Sequence, residues 1–122
     1  MARDARQTLG EAGENLACEV LRQRGYGILC RRYRTRQGEI DIVAEDGATL
    51  VFVEVKTRAD SSFGGAAAAV GPRKQRQVAR MAADFLARNR VGDRPCRFDV
   101  VAVDLRPEGA RVEIYTHAFQ VT

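Results

Sequence analysis

The sequence lacks the features that mark membrane-spanning, secreted and zinc-binding proteins. Its 122 residues contain no apolar run near the ~20 residues that a transmembrane helix needs. The first residues, MARDARQTLGEAG, contain no apolar core of a signal peptide. Cys18, Cys30 and Cys96 are odd in number and form no C-x-x-C pair, which argues against a disulfide framework or a zinc site. We therefore expect a cytoplasmic protein without a membrane partner, whose cysteines are reduced and mostly buried.

Two further absences concern phosphate and histidine chemistry. Gly64-Gly65 is not followed by Gly-Lys-Ser/Thr, so the stretch from Arg58 to Gly71 is not a phosphate-binding loop. Its Gly, Ala and Ser content instead predicts a mobile flap beside a functional site. The only histidine is His117, and we do not expect it to bind a metal or to act as an acid or base.

What the chain does have is a modest excess of positive charge. The net charge of +4 suits a polyanionic partner such as DNA but does not by itself identify one. The length fits one domain with a single core, and 45% hydrophobic with 30% charged residues is typical of globular proteins. We assign residues 1–8 to a flexible N-terminal segment and residues 9–122 to one domain.

Periodicity and turn signals predict two main helices and five strands. Apolar residues at helical spacing predict helices over residues 8–24 and 72–90. Thr8 and Glu11 resemble a capping box at the start of the first helix, and Gly25 is a stop signal at its end. The predicted strands are residues 26–33, 39–44, 49–56, 97–104 and 111–117. This α-β-β-β-α-β-β order predicts an α/β fold with a mixed sheet, in which the strands joined by the second helix are parallel.

The first strand leads into the hairpin of the second and third strands. Alternation places Ile28 and Cys30 on one face of the first strand. Asp46-Gly47 is a strong hairpin signal, and a two-residue loop there would place Asp41 opposite Phe52. A two-residue slip would place Asp41 directly opposite Glu54.

Both registers bring three charged side chains to one face of this hairpin. The third strand is apolar on both faces before Glu54, which predicts a central, covered position where charges are costly unless they pair or bind a metal. Asp41 and Glu54 together offer hard oxygen ligands suited to Mg²⁺ or Mn²⁺, and Lys56 can place a positive charge near an attacking water or a phosphate. Asp, twelve residues and Glu-x-Lys is the spacing of PD-(D/E)xK nucleases. The alternative is an ordinary solvated Glu-x-Lys pair on a strand.

Two basic stretches are candidates for phosphate binding. The first, residues 31–36, carries four arginines and a tyrosine and could grip phosphates, or could be a charged edge strand that avoids aggregation. The second is the exposed side of the second helix, where six cations accompany one acid. Cations in its first turn oppose the helix dipole, which packing alone does not explain. The predicted nucleic-acid contacts are Arg32, Arg34, Arg36, Arg58, Arg73, Lys74 and Arg76.

The motifs in combination resemble the YraN-like family of small bacterial proteins, over about Leu9 to Phe119. The motifs are Gly10-x-x-Gly13-Glu14-x-x-Ala17-x-x-x-Leu21, Gly25-Tyr26, Gly38-Glu39-Ile40-Asp41-Ile42-Val43-Ala44 and Phe52-Val53-Glu54-Val55-Lys56-Thr57-Arg58. That family is grouped with proteins of the Holliday-junction-resolvase-like, restriction-endonuclease-like fold. The resemblance therefore implies a restriction-endonuclease-like core. One departure is Arg32, where the family often has Asn; it would strengthen phosphate binding or have no effect.

The resemblance also implies roles for residues that geometry alone leaves open. Glu14 and Glu19 flank the apolar stripe of the first helix equally well, and the resemblance selects Glu14 as a further metal-binding carboxylate; the alternative is a solvated glutamate. The family pattern also has a lysine at Lys74, which favours substrate contact there. Asp99 matches the pattern Phe-Asp-Val-Val, and we assign it a supporting role. Resolvase-like relatives often work as dimers, so a homodimer is a further expectation.

These observations favour a Mg²⁺- or Mn²⁺-dependent DNA endonuclease, acting on branched or otherwise structured DNA. Asp41, Glu54 and Lys56 are its expected catalytic residues, and Asp41, Glu54, Glu14 and the Val55 carbonyl its expected metal ligands. One alternative is a nucleic-acid-binding or adaptor protein that keeps the fold without cutting. A weaker one is a purely structural partner of another protein.

Overall fold

Five strands form one mixed sheet in chain order, with a helix on each face. The computed structural model describes residues 5–59 and 70–119. The elements are α1 (Ala5–Gln23), β1 (Gly27–Thr35), β2 (Gly38–Asp46), β3 (Thr49–Arg58), α2 (Pro72–Arg88), β4 (Cys96–Arg106) and β5 (Gly109–Tyr115). β3 and β4, the strands joined by α2, are parallel, and all other neighbours are antiparallel. This is the predicted restriction-endonuclease-like core.

The third strand is the covered centre of this sheet, as its apolar run predicts. Leu50 and Phe52 pack in one cluster with α2, whereas Val51 and Val53 pack in a second cluster with α1. All four side chains are at most 1% exposed. β3 is therefore covered on both faces, and Glu54, which directly follows Val53, is buried.

The first helix ends where predicted but begins earlier. The N–H of Gly25 donates to the Arg22 carbonyl and that of Tyr26 to the Leu21 carbonyl, with Gly25 at φ +91°, which is a Schellman ending. The helix begins at Ala5, so Thr8 lies inside it and the predicted capping box is wrong.

The first strand contains a bulge that the sequence pattern did not predict. Ile28 pairs with Ala44 but Cys30 pairs with Val43, so Leu29 is an extra residue. Ile28 consequently packs in the α1 cluster and Cys30 in the α2 cluster, and their predicted placement on one face is wrong. Leu29 is left 46% exposed.

The hairpin loop is one residue further along the chain than the simplest prediction. Asp46 pairs with Thr49, so Gly47 and Ala48 form the loop, and Gly47 has φ +60°. A glycine with positive φ at the first loop position fits a type II′ turn. Of the two registers considered, the observed pairing is the one shifted by two residues. One step beyond the last pair, Ile42–Val53, this register leads to Asp41 opposite Glu54.

Several smaller expectations can also be compared with the structure. All three cysteines are free, but only Cys18 is buried; Cys30 is half-buried and Cys96 is exposed. No helix among residues 5–59 and 70–119 is long and apolar enough to cross a membrane. Most of the predicted flap, residues 60–69, lies outside the described residues.

Candidate metal and nucleic-acid site

The candidate site lies where β2 parts from β3. The ladder between them ends at the pair Ile42–Val53. One step further, the Asp41 carboxylate takes over a strand partner's role, because its Oδ2 accepts the Val55 N–H at 2.8 Å. Glu54 therefore follows directly after Val53, the last residue of β3 that pairs with β2, and lies beside Asp41, while its backbone stays paired with β4. Asp41 and Glu54, the two predicted carboxylates, therefore lie side by side, and the Val55 N–H links β3 to the Asp41 side chain.

The second strand changes faces at Asp41. Ile40 packs in the α2 cluster and Ile42 in the α1 cluster, although residues two apart on a regular strand share a face. On β1, Arg31 pairs with Ile42 and Tyr33 with Ile40, so Arg32 lies opposite this break. Arg32 has φ +53°, in the left-handed region. The local irregularity turns β2 away from β3 and opens the end of the sheet where the carboxylates lie.

Glu54 is a buried carboxylate without full pairing. The residue is 7% exposed, and its Oε2 has no hydrogen-bond partner within the described part of the chain. Its Oε1 lies 3.8 Å from Nζ of Lys74, the only ion pair that the structure gives for Glu54 within the described ranges. Burial and the nearby Asp41 raise the pKa of Glu54 to about 7, against the opposing effects of Lys74 and Lys56. A cation added beside Glu54 would relieve this cost.

Asp41 shares this environment with two further carboxylates. Burial raises its pKa; the Val55 N–H and Lys74 lower it, while Glu14 and Glu39 raise it. One carboxylate oxygen each from Glu14, Glu39 and Asp41 lies within 4.8 Å of the others, a spacing at which one cation can bind all three. Glu39 was missed in the sequence analysis, although its position two residues before Asp41 on a strand was the available signal.

A close helix–strand approach places Glu14 at this point. A Cβ on Gly13 would overlap the Thr57 side chain, so only glycine lets α1 lie so near the end of β3. Glu14 itself is 6% exposed. The solvated-glutamate interpretation is therefore wrong, because Glu14 is buried and faces Asp41.

The arginines of the first strand are bound to these carboxylates. Arg31 Nη2 lies 2.9 Å and Arg32 Nε 3.3 Å from the same Glu14 oxygen, and Arg34 Nε lies 2.7 Å from Glu39. Arg31 also donates to the Asn15 side chain at 2.7 Å. Two of the predicted phosphate contacts, Arg32 and Arg34, thus already have anionic partners within the protein.

The cations of the second helix lie in a different setting. A groove of about 660 Å³ is lined by Gln37, Gly71, Arg73, Lys74, Arg76, Gln77 and Arg80. Lys74 connects this groove to Glu54. Arg36 is exposed in the adjoining β1–β2 turn, and Arg58 is the last residue of β3. Of the predicted basic residues of α2, Lys74 therefore contacts a carboxylate of the site, and Arg73 and Arg76 line the groove beside it.

Asp99 and His117 belong to a separate polar network. The buried Asp99 carboxylate binds Arg97 through Oδ1 at 2.9 Å and Oδ2 at 3.0 Å, and accepts from the Tyr26 hydroxyl at 3.2 Å. The backbone N–H of His117 also donates to it, at 3.1 Å. Arg97 further contacts Asp46 at 3.1 Å. This network joins the ends of β2 and β4 to Tyr26, just before β1, and to His117, just after β5, and it fits the supporting role assigned to Asp99.

Comparison with known proteins identifies the family. The family model described as "Uncharacterised protein family UPF0102" matches residues 13–103. A UPF0102 protein of Ralstonia pickettii is 52% identical, over 92% of this chain and 90% of its own length. Those of Symbiobacterium thermophilum and Syntrophus aciditrophicus are 49% and 46% identical, over 91% and 92% of this chain and 95% and 88% of their own lengths. The match spans every motif on which the family resemblance rests from Gly13 onward, and this chain belongs to the UPF0102 family.

Proposed function

We propose that this protein is a Mg²⁺- or Mn²⁺-dependent endonuclease that hydrolyses phosphodiester bonds in DNA, with branched or structured DNA as its expected substrate. The observation that carries the proposal is the pair Asp41 and Glu54 at the opening between β2 and β3, where one buried oxygen of Glu54 has no partner within residues 5–59 and 70–119. Lys56 is close enough to lower the pKa of Glu54. An all-oxygen donor set beside a lysine is the chemistry that this reaction needs.

Each residue has a distinct role in this proposal. Asp41 and Glu54 hold the metal, with the Val55 carbonyl as an added ligand. Glu14 and Glu39 supply further oxygens, directly or through water. To bind the metal, Glu14 must give up part of its ion pairing with Arg31 and Arg32. When bound, the metal supplies Lewis-acid stabilisation of phosphate charge and lowers the pKa of a bound water.

The basic residues act on the water and on the substrate backbone. Lys56 orients the attacking water and stabilises negative charge that develops on the phosphate. Arg73, Lys74 and Arg76 contact phosphates from α2, and Arg36 and Arg58 contact them from the strand ends. Arg32 and Arg34 contact the backbone only after releasing their carboxylate partners. A homodimer would let two such sites cut two strands.

The test is a cleavage assay on linear, single-stranded, flapped and four-way-junction DNA. Cutting should require Mg²⁺ or Mn²⁺ and stop in chelator. Lys56→Ala and Asp41→Asn should each lower the rate by about 100-fold or more, the effect of losing one transition-state contact or ligand. Arg88→Gln, which changes an exposed arginine paired with Asp84, controls for lost charge.

Metal binding provides a second, independent readout. By calorimetry with Mn²⁺, Asp41→Asn should lose binding, whereas Lys56→Ala should retain it because lysine is not a ligand. An unchanged cleavage rate in Lys56→Ala would contradict the mechanism. DNA binding that persists in chelator and in Asp41→Asn, without cutting by the wild type, would instead favour the adaptor alternative.

A further inference from the structure

We propose that the groove along α2 binds the backbone of the DNA strand that flanks the cut, and that Arg80 is its outermost phosphate contact. This α2 groove is the one lined by Gln37, Gly71, Arg73, Lys74, Arg76, Gln77 and Arg80. This inference rests on the proposed function, because it assigns the groove to the substrate of the same site. It adds Arg80 to the predicted nucleic-acid contacts and specifies how far the substrate must extend.

The first observation is the lack of counter-charge in the groove. Its described lining contains four cations and no carboxylate. Among residues 5–59 and 70–119, Arg73, Arg76 and Arg80 have no ion-pair partner, whereas Arg31, Arg34, Arg88 and Arg111, among others, each have one. The groove cations also lie in the first half of α2, and those in its first turn oppose the helix dipole. An anionic ligand would offset the positive charge of the groove and the unfavourable interaction of the first-turn cations with the helix dipole.

The second observation is that one wall of the groove is fixed. Gln77 Nε2 donates to the Gln37 carbonyl, which joins the β1–β2 turn to α2. Gly38 has φ +146°, and a Cβ there would overlap the Gln77 side chain. Glycine at residue 38 therefore allows the turn to lie against the helix. The exposed arginines Arg73, Arg76 and Arg80 therefore line a concavity, and the β1–β2 turn bound to Gln77 forms one of its walls.

The lining also indicates what part of the nucleic acid is bound. None of the seven described lining residues is aromatic. Sites that grip single strands by their bases stack them on aromatic side chains. A groove of arginines, a lysine and amides is suited to phosphates and sugars, which carry no sequence information. We therefore expect sequence-independent binding.

The helix geometry gives the length of strand bound. Lys74 lies beside Glu54, at the inner end of the groove. Arg80 is six residues further along α2, which is about 9 Å at 1.5 Å per residue. A DNA strand advances about 3.4 Å per nucleotide, so the groove covers roughly two to three nucleotides beyond the cut.

The binding test compares two pairs of arginines in chelator, so that it does not depend on cleavage. Arg76→Gln/Arg80→Gln removes two groove cations. Arg88→Gln/Arg111→Gln removes two exposed, ion-paired arginines and matches the change in net charge. Affinity for a labelled 30-base-pair duplex, roughly three helical turns, is measured by fluorescence anisotropy at 50 and 200 mM salt.

Each lost phosphate contact should flatten the salt dependence by a known amount. With a slope of about −0.9 per contact, the ratio of Kd at 200 mM to Kd at 50 mM falls about 3.5-fold per contact, and about 12-fold for the groove pair. The control pair should leave the ratio unchanged, and a second duplex of unrelated sequence should give the same values. Equal effects of the two pairs would overturn the assignment and attribute binding to net charge.

A cleavage experiment tests the position of Arg80 separately. With Mn²⁺, Arg80→Gln should slow cutting at interior sites and leave unchanged any cutting within about two nucleotides of the strand end that the groove would hold. Equal slowing at every site would overturn the placement of Arg80 on a flanking phosphate. If the wild type does not cut but the groove pair still loses its salt dependence, the endonuclease proposal fails and the binding groove stands.

Discussion

The arginines of β1 and those of α2 look alike in the sequence but differ in what they face. Arg31, Arg32 and Arg34 lie against the carboxylates of Glu14 and Glu39. Arg76 and Arg80 line a groove without a carboxylate among its described residues. Since an arginine that must first release an internal partner gains less from a phosphate, the proposed function places the substrate on the α2 side.

The carboxylates divide in the same way. Glu14 is shared by two guanidinium groups, whereas Glu54 has one oxygen without a partner among the residues that the structure describes and a lysine 3.8 Å from the other. The carboxylate on the β1 side is therefore neutralised within the protein, whereas Glu54 is the one to which the proposed function assigns an added metal ion. The following predictions test this difference, from the largest expected effect to the smallest.

The largest effect is expected for Glu54, on the side that is not neutralised. Its pKa of about 7 lies above the ordinary value of 4.5, so the folded protein holds this proton more tightly than the unfolded chain. The stabilisation is full below about pH 4.5 and is lost as the pH rises through 7. Glu54→Gln should therefore be more stable than the wild type at pH 8, by on the order of 3 kcal/mol, with no such difference at pH 4. Urea unfolding in chelator at pH 4, 6 and 8 measures this.

Adding Mn²⁺ and a variant that controls for net charge extends the same experiment. At pH 8, Mn²⁺ should stabilise the wild type and leave Glu54→Gln unaffected, because the ligand is lost. Glu113→Gln removes a partly exposed carboxylate from β5 and controls for the change in net charge. Wild-type and Glu54→Gln stabilities that stay parallel at all three pH values would contradict the assigned cost of burying Glu54.

A smaller effect is expected from removing the neutralising acid on the β1 side. Glu14→Gln frees Arg31 and Arg32, which should then contact phosphates. The slope of log affinity against log salt in chelator should steepen by about 0.9 for each freed arginine that reaches DNA. Anisotropy titration of a labelled duplex measures it, with Glu19→Gln, an exposed acid on the same helix, as control. An unchanged slope would mean that the β1 arginines cannot reach DNA even when freed.

The smallest effect concerns the backbone at Arg32. Its φ of +53° is unfavourable for arginine, and asparagine adopts this region more readily. Arg32→Asn should stabilise the protein by about 0.5 kcal/mol, which is the strain relieved less the weak ion pair between the 44% exposed Arg32 side chain and Glu14. The same change at Arg34, which lies elsewhere on the strand, should not stabilise. Urea unfolding at pH 7 compares the two, and equal effects would contradict the backbone argument.

The backbone at Arg32 bears on the departure noted in the sequence. The family resemblance implies Asn at this place, and a left-handed residue opposite Asp41 is a physical reason for Asn there rather than Arg. Arg32 keeps the bend and adds a second counter-charge to Glu14. Arg32 either strengthens phosphate binding or has no effect on it, and the Glu14→Gln experiment tests the first of these two interpretations.

The elements and the carboxylate pair were predictable because they follow from local pattern. Alternation and helical spacing gave both helices and all five strands, and the parallel pairing of β3 and β4 followed from the intervening helix. The slipped hairpin register was one of two considered. The bulge at Leu29 and the change of face at Asp41 were not predictable, because each inserts an irregularity that period-two alternation cannot reveal.

The sequence by itself determined that Glu54 lies near both Asp41 and Lys56, because a hairpin and a period of two leave little choice. Only the tertiary structure decided which charges are neutralised. Glu14 meets Arg31 because Gly13 lets α1 lie against Thr57, and Lys74 meets Glu54 because α2 covers the other face of the sheet. These contacts join residues more than fifteen positions apart, and their partners depend on how layers pack, which no local pattern specifies.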